Sequence, residues 1–130
     1  MEYIGRIKFG VCISDLDYQD CRDLQQLVEN RESFLSYPTV YALNDEGSLF
    51  GFVSTNNDNT FKVAEPMVID PKYCPRLKLA IQLYETYGKI LGFPYVFGVM
   101  KTNTKMLNAV KILGFLPYAE TDENFWFQTL

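Results

Sequence analysis

Histidine is missing from this chain altogether. Without an imidazole there is no Ser–His or Cys–His nucleophile pair and no histidine-ligated metal, which leaves carboxylates, tyrosines, lysines, thiols, backbone groups and water as the available catalysts. Cysteine is scarce. Cys12, Cys21 and Cys74 are odd in number and share no C-x-x-C spacing, which argues against a disulfide framework and a zinc site and makes them core thiols; no metal site is expected. Long apolar runs are lacking too: the longest, Ile90 to Met100, is broken by Gly92, Pro94 and Gly98 and falls far short of the ~20 residues of a membrane span. The opening "MEYIGRIKFG" has an acid at position 2 and no apolar h-region, so the chain reads as cytoplasmic. Positive charge is in deficit, with 12 Lys and Arg against 16 Asp and Glu, and a net charge of -4 opposes any general attraction to nucleic acid. The one basic cluster, Lys72, Arg76 and Lys78, reads as solvated surface beside a helix start.

What is present is ample material for one core. A chain of 130 residues, 48% apolar and 15% aromatic, suits a single domain. "RIKFGVCI" predicts a first strand over Arg6 to Ile13. Ser14 or Asp15 then caps a helix that turns Cys21, Leu24, Leu27 and Val28 to one face and ends near Asn30 to Ser33. Two apolar runs, Val40 to Leu43 and Leu49 to Val53, flank the turn residues Asn44 to Ser48 and predict a β-hairpin. "TNNDN", residues 55 to 59, predicts a further turn, leading to a strand in "TFKVAEPMVID". Pro66 cannot donate to a ladder, so that strand must be an edge, bulged or splayed there. From Pro75 to Leu91 the positions Leu77, Ala80, Ile81, Tyr84, Gly88 and Leu91 follow the helical period. "GFPYVFGVM" gives a buried strand, "NTKMLNAVKIL" a helix stopped by Gly114, and "FLPYAETDENFWFQTL" two strands around Thr121 to Asn124. Alternation in the last strand sets Phe125 and Phe127 on one face and Trp126 on the other, so two apolar faces need covering.

This β-α-β-β-β-α-β-α-β-β order, together with Asn103, Gly114 and Phe115 at the spacing of a family motif, resembles the GNAT family of N-acetyltransferases over essentially the whole chain. The resemblance implies a single α/β (α+β) domain: a mixed, mainly antiparallel sheet whose fourth and fifth strands, about residues 60 to 69 and 95 to 100, run parallel and splay, with helices on both faces. It also implies acetyl-CoA between those two strands, met by Val68, Ile69, Arg76, Lys78 and Asn103, and Glu65 as the base that deprotonates an amine through water. Two departures stand out. "DPKYCP" holds no glycine where the family keeps a glycine-rich phosphate loop, and Val110 stands where many members keep the tyrosine that reprotonates the leaving thiolate; Tyr84, Tyr87 and Tyr118 are the substitutes on offer. The resemblance therefore implies weak or absent acetyl-CoA binding and a weak or inactive N-acetyltransferase acting on a small-molecule or protein amine. The alternative is a non-catalytic interaction module with a protein partner or a homo-oligomeric interface, since the C-terminal half also resembles GNAT-like proteins of short-tailed bacteriophages, in host cytoplasm or virion.

Overall fold

Ser14 starts the first helix by accepting at Oγ from the Asp17 amide, 3.2 Å away, and Asp17 in turn accepts from the Ile13 amide at 2.9 Å. That helix, α1, runs Asp15–Glu29 in the computed structural model, which describes residues 2–3, 5–57, 62–92 and 94–129. Around it the chain forms β1 (Glu2–Tyr3), β2 (Lys8–Val11), β3 (Val40–Leu43), β4 (Leu49–Asn57), β5 (Lys62–Ile69), β6 (Tyr73–Cys74), α2 (Arg76–Leu91), β7 (Tyr95–Met100), α3 (Thr104–Ile112), β8 (Leu116–Glu120) and β9 (Asn124–Gln128). Gly114, at φ 85°, ends α3 in a conformation that suits glycine, and its amide reaches the Lys111 carbonyl at 3.2 Å.

Seven strands make one sheet in the order β2-β3-β4-β5-β7-β9-β8. Every neighbouring pair is antiparallel except β5 and β7, which are parallel and joined through α2 as the crossover. This is the expected mixed sheet with its one parallel pair. α2 and α3 cover one face over a core that includes Phe50, Leu79, Leu83, Tyr87, Tyr95, Phe97, Val110 and Phe127. α1 covers the other face with Cys21 and Leu24 against Cys12, Phe52 and Val68. Cys12 and Cys21 are free thiols buried side by side, their sulfurs 3.7 Å apart, as core thiols should be.

Local patterning misjudged four details. Thr55 to Asn57 belong to β4 instead of a turn, because they pair with Ala64, Val63 and Lys62; Asp58 and Asn59 lie outside the described residues. On α1, Leu27 points to solvent at 78% exposure while Gln25 is buried, since its side-chain amide bonds the Ser33 amide and hydroxyl and fastens the chain leaving the helix. On α2 the buried stripe is Leu79, Leu83, Tyr84 and Tyr87, not the one running through Leu77, because that is the side on which α2 packs against β3, β4 and β5. Pro75 is the N-cap of α2 and precedes its first turn. The parallel pair β1–β6 has no local signal at all: two residues from each end of a long separation meet, Glu2 with Tyr73 and Tyr3 with Cys74.

Candidate active site

Pro66 sets the geometry of the site. On one side of β5 the ladder to β4 pairs Val53 with Met67 and then Thr55 with Ala64, so Ser54 alone stands opposite Glu65 and Pro66. Two residues against one is a β-bulge, and it falls where the ladder meets a residue with no N–H. On the other side, among the described residues, β5 pairs with β7 at two positions, Lys62 with Tyr95 and Val63 with Val96. Beyond Val63 the two strands diverge and their facing edges have no ladder partner in each other.

The divergence opens a cleft of about 290 Å³. Its walls are Ala64, Glu65, Met67 and Ile69 of β5, Gly98 to Met100 of β7, and Asn124 and Trp126 of β9; Arg76, Ala80 and Tyr84 of α2 and Asn103 and Met106 complete it. Glu65 Oε1 accepts from Asn56 Nδ2 at 2.9 Å and forms no ion pair among the described residues. Tyr84 is buried beneath the cleft, its ring 4.4 Å from that of Phe97, and its backbone carbonyl accepts from the Tyr95 hydroxyl at 2.6 Å. Burial, and then the Glu65 carboxylate, push the Tyr84 phenol well above its ordinary value, so it stays protonated.

At the far end, α2 begins behind Pro75, which has no side-chain acceptor to give. The amides of Arg76, Leu77 and Lys78 therefore have no intrahelical partner, and the positive end of the helix sits beside the cleft-lining Arg76. The preceding loop is held by its own polar groups: the Asp70 amide reaches the Phe50 carbonyl at 2.8 Å, and Asp70 Oδ1 accepts from the Lys72 amide at 3.1 Å. Asn103 caps α3, its Oδ1 accepting from the Met106 amide at 3.3 Å.

A larger groove of about 560 Å³ lies between α1 and the β3–β4 hairpin, lined in part by Asp17, Asp20 and Asp23. Two of those carboxylates already serve local structure, Asp17 on the Ile13 amide and Asp23 on Gln19, and Tyr41 lines the groove beside them, its phenol raised by burial and then by Asp17.

No family model matches the chain, and no curated protein matches it in sequence. Solved structures do match. A GNAT-family acetyltransferase of Bacillus cereus superposes with a TM-score of 0.69 at 16% identity, covering 96% of this chain and 97% of its own. The fold is that of the GNAT acetyltransferases. Spermidine N-acetyltransferase of Vibrio cholerae shares this GNAT fold with a TM-score of 0.65 at 13% identity, over 95% of this chain and 93% of its own. So does yncA of Salmonella typhimurium, solved with its cofactor acetyl-CoA, at a TM-score of 0.60 and 13% identity over 96% and 94%.

Within this GNAT fold, Glu65, Ile69, Arg76 and Asn103 line the same cleft. Val68 turns the other way and packs beneath α1, so only its backbone belongs to the cleft-side strand; Lys78 is exposed on α2 and is not part of the lining. Val110 is fully buried in the core. Of the three substitute tyrosines only Tyr84 lines the cleft: Tyr87 is bound to Thr55 at 2.7 Å inside the core, and Tyr118 lies on the edge strand β8. Asn56, Gly98, Asn124 and Trp126 escaped sequence reading. An isolated glycine inside a strand does mark close approach of another group, and Gly98 with the out-of-phase Trp126 was that signal.

Proposed function

We propose that this chain binds an acyl-coenzyme A, with acetyl-CoA the simplest candidate, between β5 and β7 and passes its acyl group to an amine. The observation that carries this reading is the broken β5–β7 ladder with Glu65 and Tyr84 lining the gap. The residues present fit the cofactor in part. The uncapped start of α2 and the Arg76 side chain suit a phosphate, with Lys72 and Lys78 adding nearby charge, and Asn103, Ile69 and the backbone at Val68 suit the arm that lies along the cleft.

The hold is weak by this reading. Residues 70–75 contain no glycine to let the backbone approach a pyrophosphate. A net hydrogen bond to a charged group contributes roughly 1.5–3 kcal/mol, so two fewer amides cost a factor on the order of 10² to 10⁴ in affinity. Bound coenzyme supplies the thioester that the amine attacks. The chain's own residues handle protons and position: Glu65 takes the amine proton through water, and Tyr84, held protonated, gives one to the departing sulfur in the role that Val110 cannot fill.

A thermal-shift assay with millimolar acetyl-CoA tests this. At tenfold excess over Kd the stabilisation is roughly 1.4 kcal/mol, a rise of a few degrees, and because the phosphate contacts rest on exposed side chains it fades in high salt. No rise at low salt would sink the coenzyme reading.

A second reading, a non-catalytic interaction module, is favoured by one observation. Ile112, Leu113, Leu116 and Tyr118 are exposed by 84%, 54%, 42% and 44% around the end of α3 and the edge strand β8, a place for a protein partner or a second copy. Sedimentation of the free protein separates monomer from oligomer. The solved structures named above are bacterial proteins, so the likeness to bacteriophage proteins rests on the sequence pattern alone.

A further inference from the structure

We infer that Cys12 and Cys21 are a peroxide-reactive thiol pair that closes to an intramolecular disulfide and straps α1 to the chain leaving β2. The pair lies beneath α1, on the face of the sheet away from α2, and owes nothing to the transferase reading.

The fold brings the two sulfurs together from both sides. Cys12 follows β2 directly and its amide reaches the Thr39 carbonyl at 2.9 Å, while Cys21 sits in the second turn of α1 behind the Ser14 cap. Their sulfurs stand 3.7 Å apart, and the two residues are 1% and 0% exposed. A disulfide sets its sulfurs about 2.05 Å apart, so closure asks for an approach of roughly 1.7 Å.

Either thiol can donate in the neutral pair. Once Cys12 ionises, the Cys21 S–H donates to its thiolate; that bond lowers the Cys12 thiol against the opposing effects of burial, Asp17 and Asp20, while the same bond and burial hold Cys21 far above its ordinary value. One sulfur is set to attack, and its neighbour keeps its proton until the second step.

Size decides the oxidant. The thiols lie one layer of side chains below the groove between α1 and the β3–β4 hairpin: Leu24 belongs to their cluster, Tyr41 and Leu49 pack against it, and all three line the groove. A water-sized hydroperoxide can pass such a layer, whereas a bulky disulfide cannot bring its sulfur to Cys12 in the folded chain. The Cys12 thiolate attacks one oxygen of hydrogen peroxide, the O–O bond breaks, and the hydroxide released takes up the proton that Cys12 lost, leaving a sulfenic acid and water. The Cys21 sulfur then attacks the Cys12 sulfur; the S–S bond forms as the S–O bond breaks, and the Cys21 proton leaves with the hydroxyl as a second water. Two thiols are oxidised and one peroxide is reduced. The new bond holds α1 down over Phe52 and Val68, and Val68 belongs to β5, whose Met67 and Ile69 line the cleft from the other side.

Trypsin cuts after Lys8 and Arg22, so both cysteines travel in one peptide, residues 9–22, while Cys74 travels in residues 73–76. The reduced full chain is treated at neutral pH with hydrogen peroxide or with oxidised glutathione, unfolded in the presence of an alkylating label, digested and measured by mass spectrometry. With peroxide, the expected 9–22 peptide lacks two hydrogens, takes no label, and takes both labels after dithiothreitol. Oxidised glutathione should close it at least tenfold more slowly in the folded chain than in urea. A peptide that still takes two labels after peroxide, closure by peroxide in urea alone, or a sulfinic acid on Cys12 without the crosslink overturns the pair. Glutathione that closes the folded chain as fast as the unfolded one overturns the selection by size.

Discussion

Tyr84 and Glu65 line one cleft from two different elements, and the Glu65 carboxylate adds to burial in keeping the Tyr84 phenol protonated. On the transferase reading proposed above, Tyr84 would be the donor and Glu65 the acceptor of protons in a chain without histidine.

If acetyl transfer to an amine is measured, Tyr84→Phe and Glu65→Gln should each lower kcat/KM by about 10²- to 10⁴-fold, the usual worth of a positioned proton carrier. Glu65→Gln should also change the shape of the pH profile, since the amide accepts no proton. Steady-state rates from pH 6 to 9 check both, and an unaltered profile in the Gln variant would remove Glu65 from the chemistry.

Alkaline pH should unfold the protein through its buried phenols. Burial raises Tyr84, Tyr87 and Tyr95 above the ordinary value of 10.0, so the unfolded chain releases their protons first. Their contribution is intact below pH 10 and declines as pH rises beyond it, at about 1.4 kcal/mol per pH unit for each, or about 4 for the three together. Urea midpoints between pH 8 and 11 should be level at first and then fall; a level line to pH 11 would contradict the burial of these hydroxyls.

Tyr87 and Thr55 offer a test of the core's polar stitching. Thr55 Oγ1 meets the Tyr87 hydroxyl at 2.7 Å and the Pro38 carbonyl at 2.7 Å, all out of water. Tyr87→Phe leaves Thr55 one partner and should cost about 1 kcal/mol; Thr55→Val strands both the phenol and the carbonyl and should cost more, about 2–4 kcal/mol. Denaturant titration orders the two, and a reversed order would show that the hydroxyl finds another partner.

Gly98→Val should destabilise by about 1–3 kcal/mol, because a branched side chain must enter space filled by Trp126. The displaced indole should also shift its emission, so a stable variant with unaltered fluorescence would refute the seating of the ring.

Much of this was legible in the sequence because it is local. Asn44 to Ser48 between two apolar runs wrote the β3–β4 hairpin, Ser14 and Asn103 wrote helix starts, and Pro66 in an otherwise apolar strand announced the bulge and the splay beside it. What failed was set by distant parts of the chain. The packing of α2 on β3, β4 and β5 chose Leu79 and Leu83 for the core over Leu77, and the β1–β6 pair joins residues some seventy positions apart. Trp126 belongs to the cleft only because Gly98, on another strand, leaves it room, a relation that no periodicity along one segment expresses.

Among the described residues, two pairs, Lys62 with Tyr95 and Val63 with Val96, form the backbone seam between β2–β5 on one side and β7, β9 and β8 on the other. The halves are riveted by side chains instead. Tyr95 leans back from β7 onto α2, which packs on the first half, its hydroxyl on the Tyr84 carbonyl and its ring edge-on to Tyr87 at 4.8 Å. Widening the wedge for a guest therefore slides aromatic surfaces past one another and breaks no hydrogen-bonded ladder beyond those two pairs. The sheet is thus two plates joined, among the described residues, by a two-pair seam and one aromatic pin.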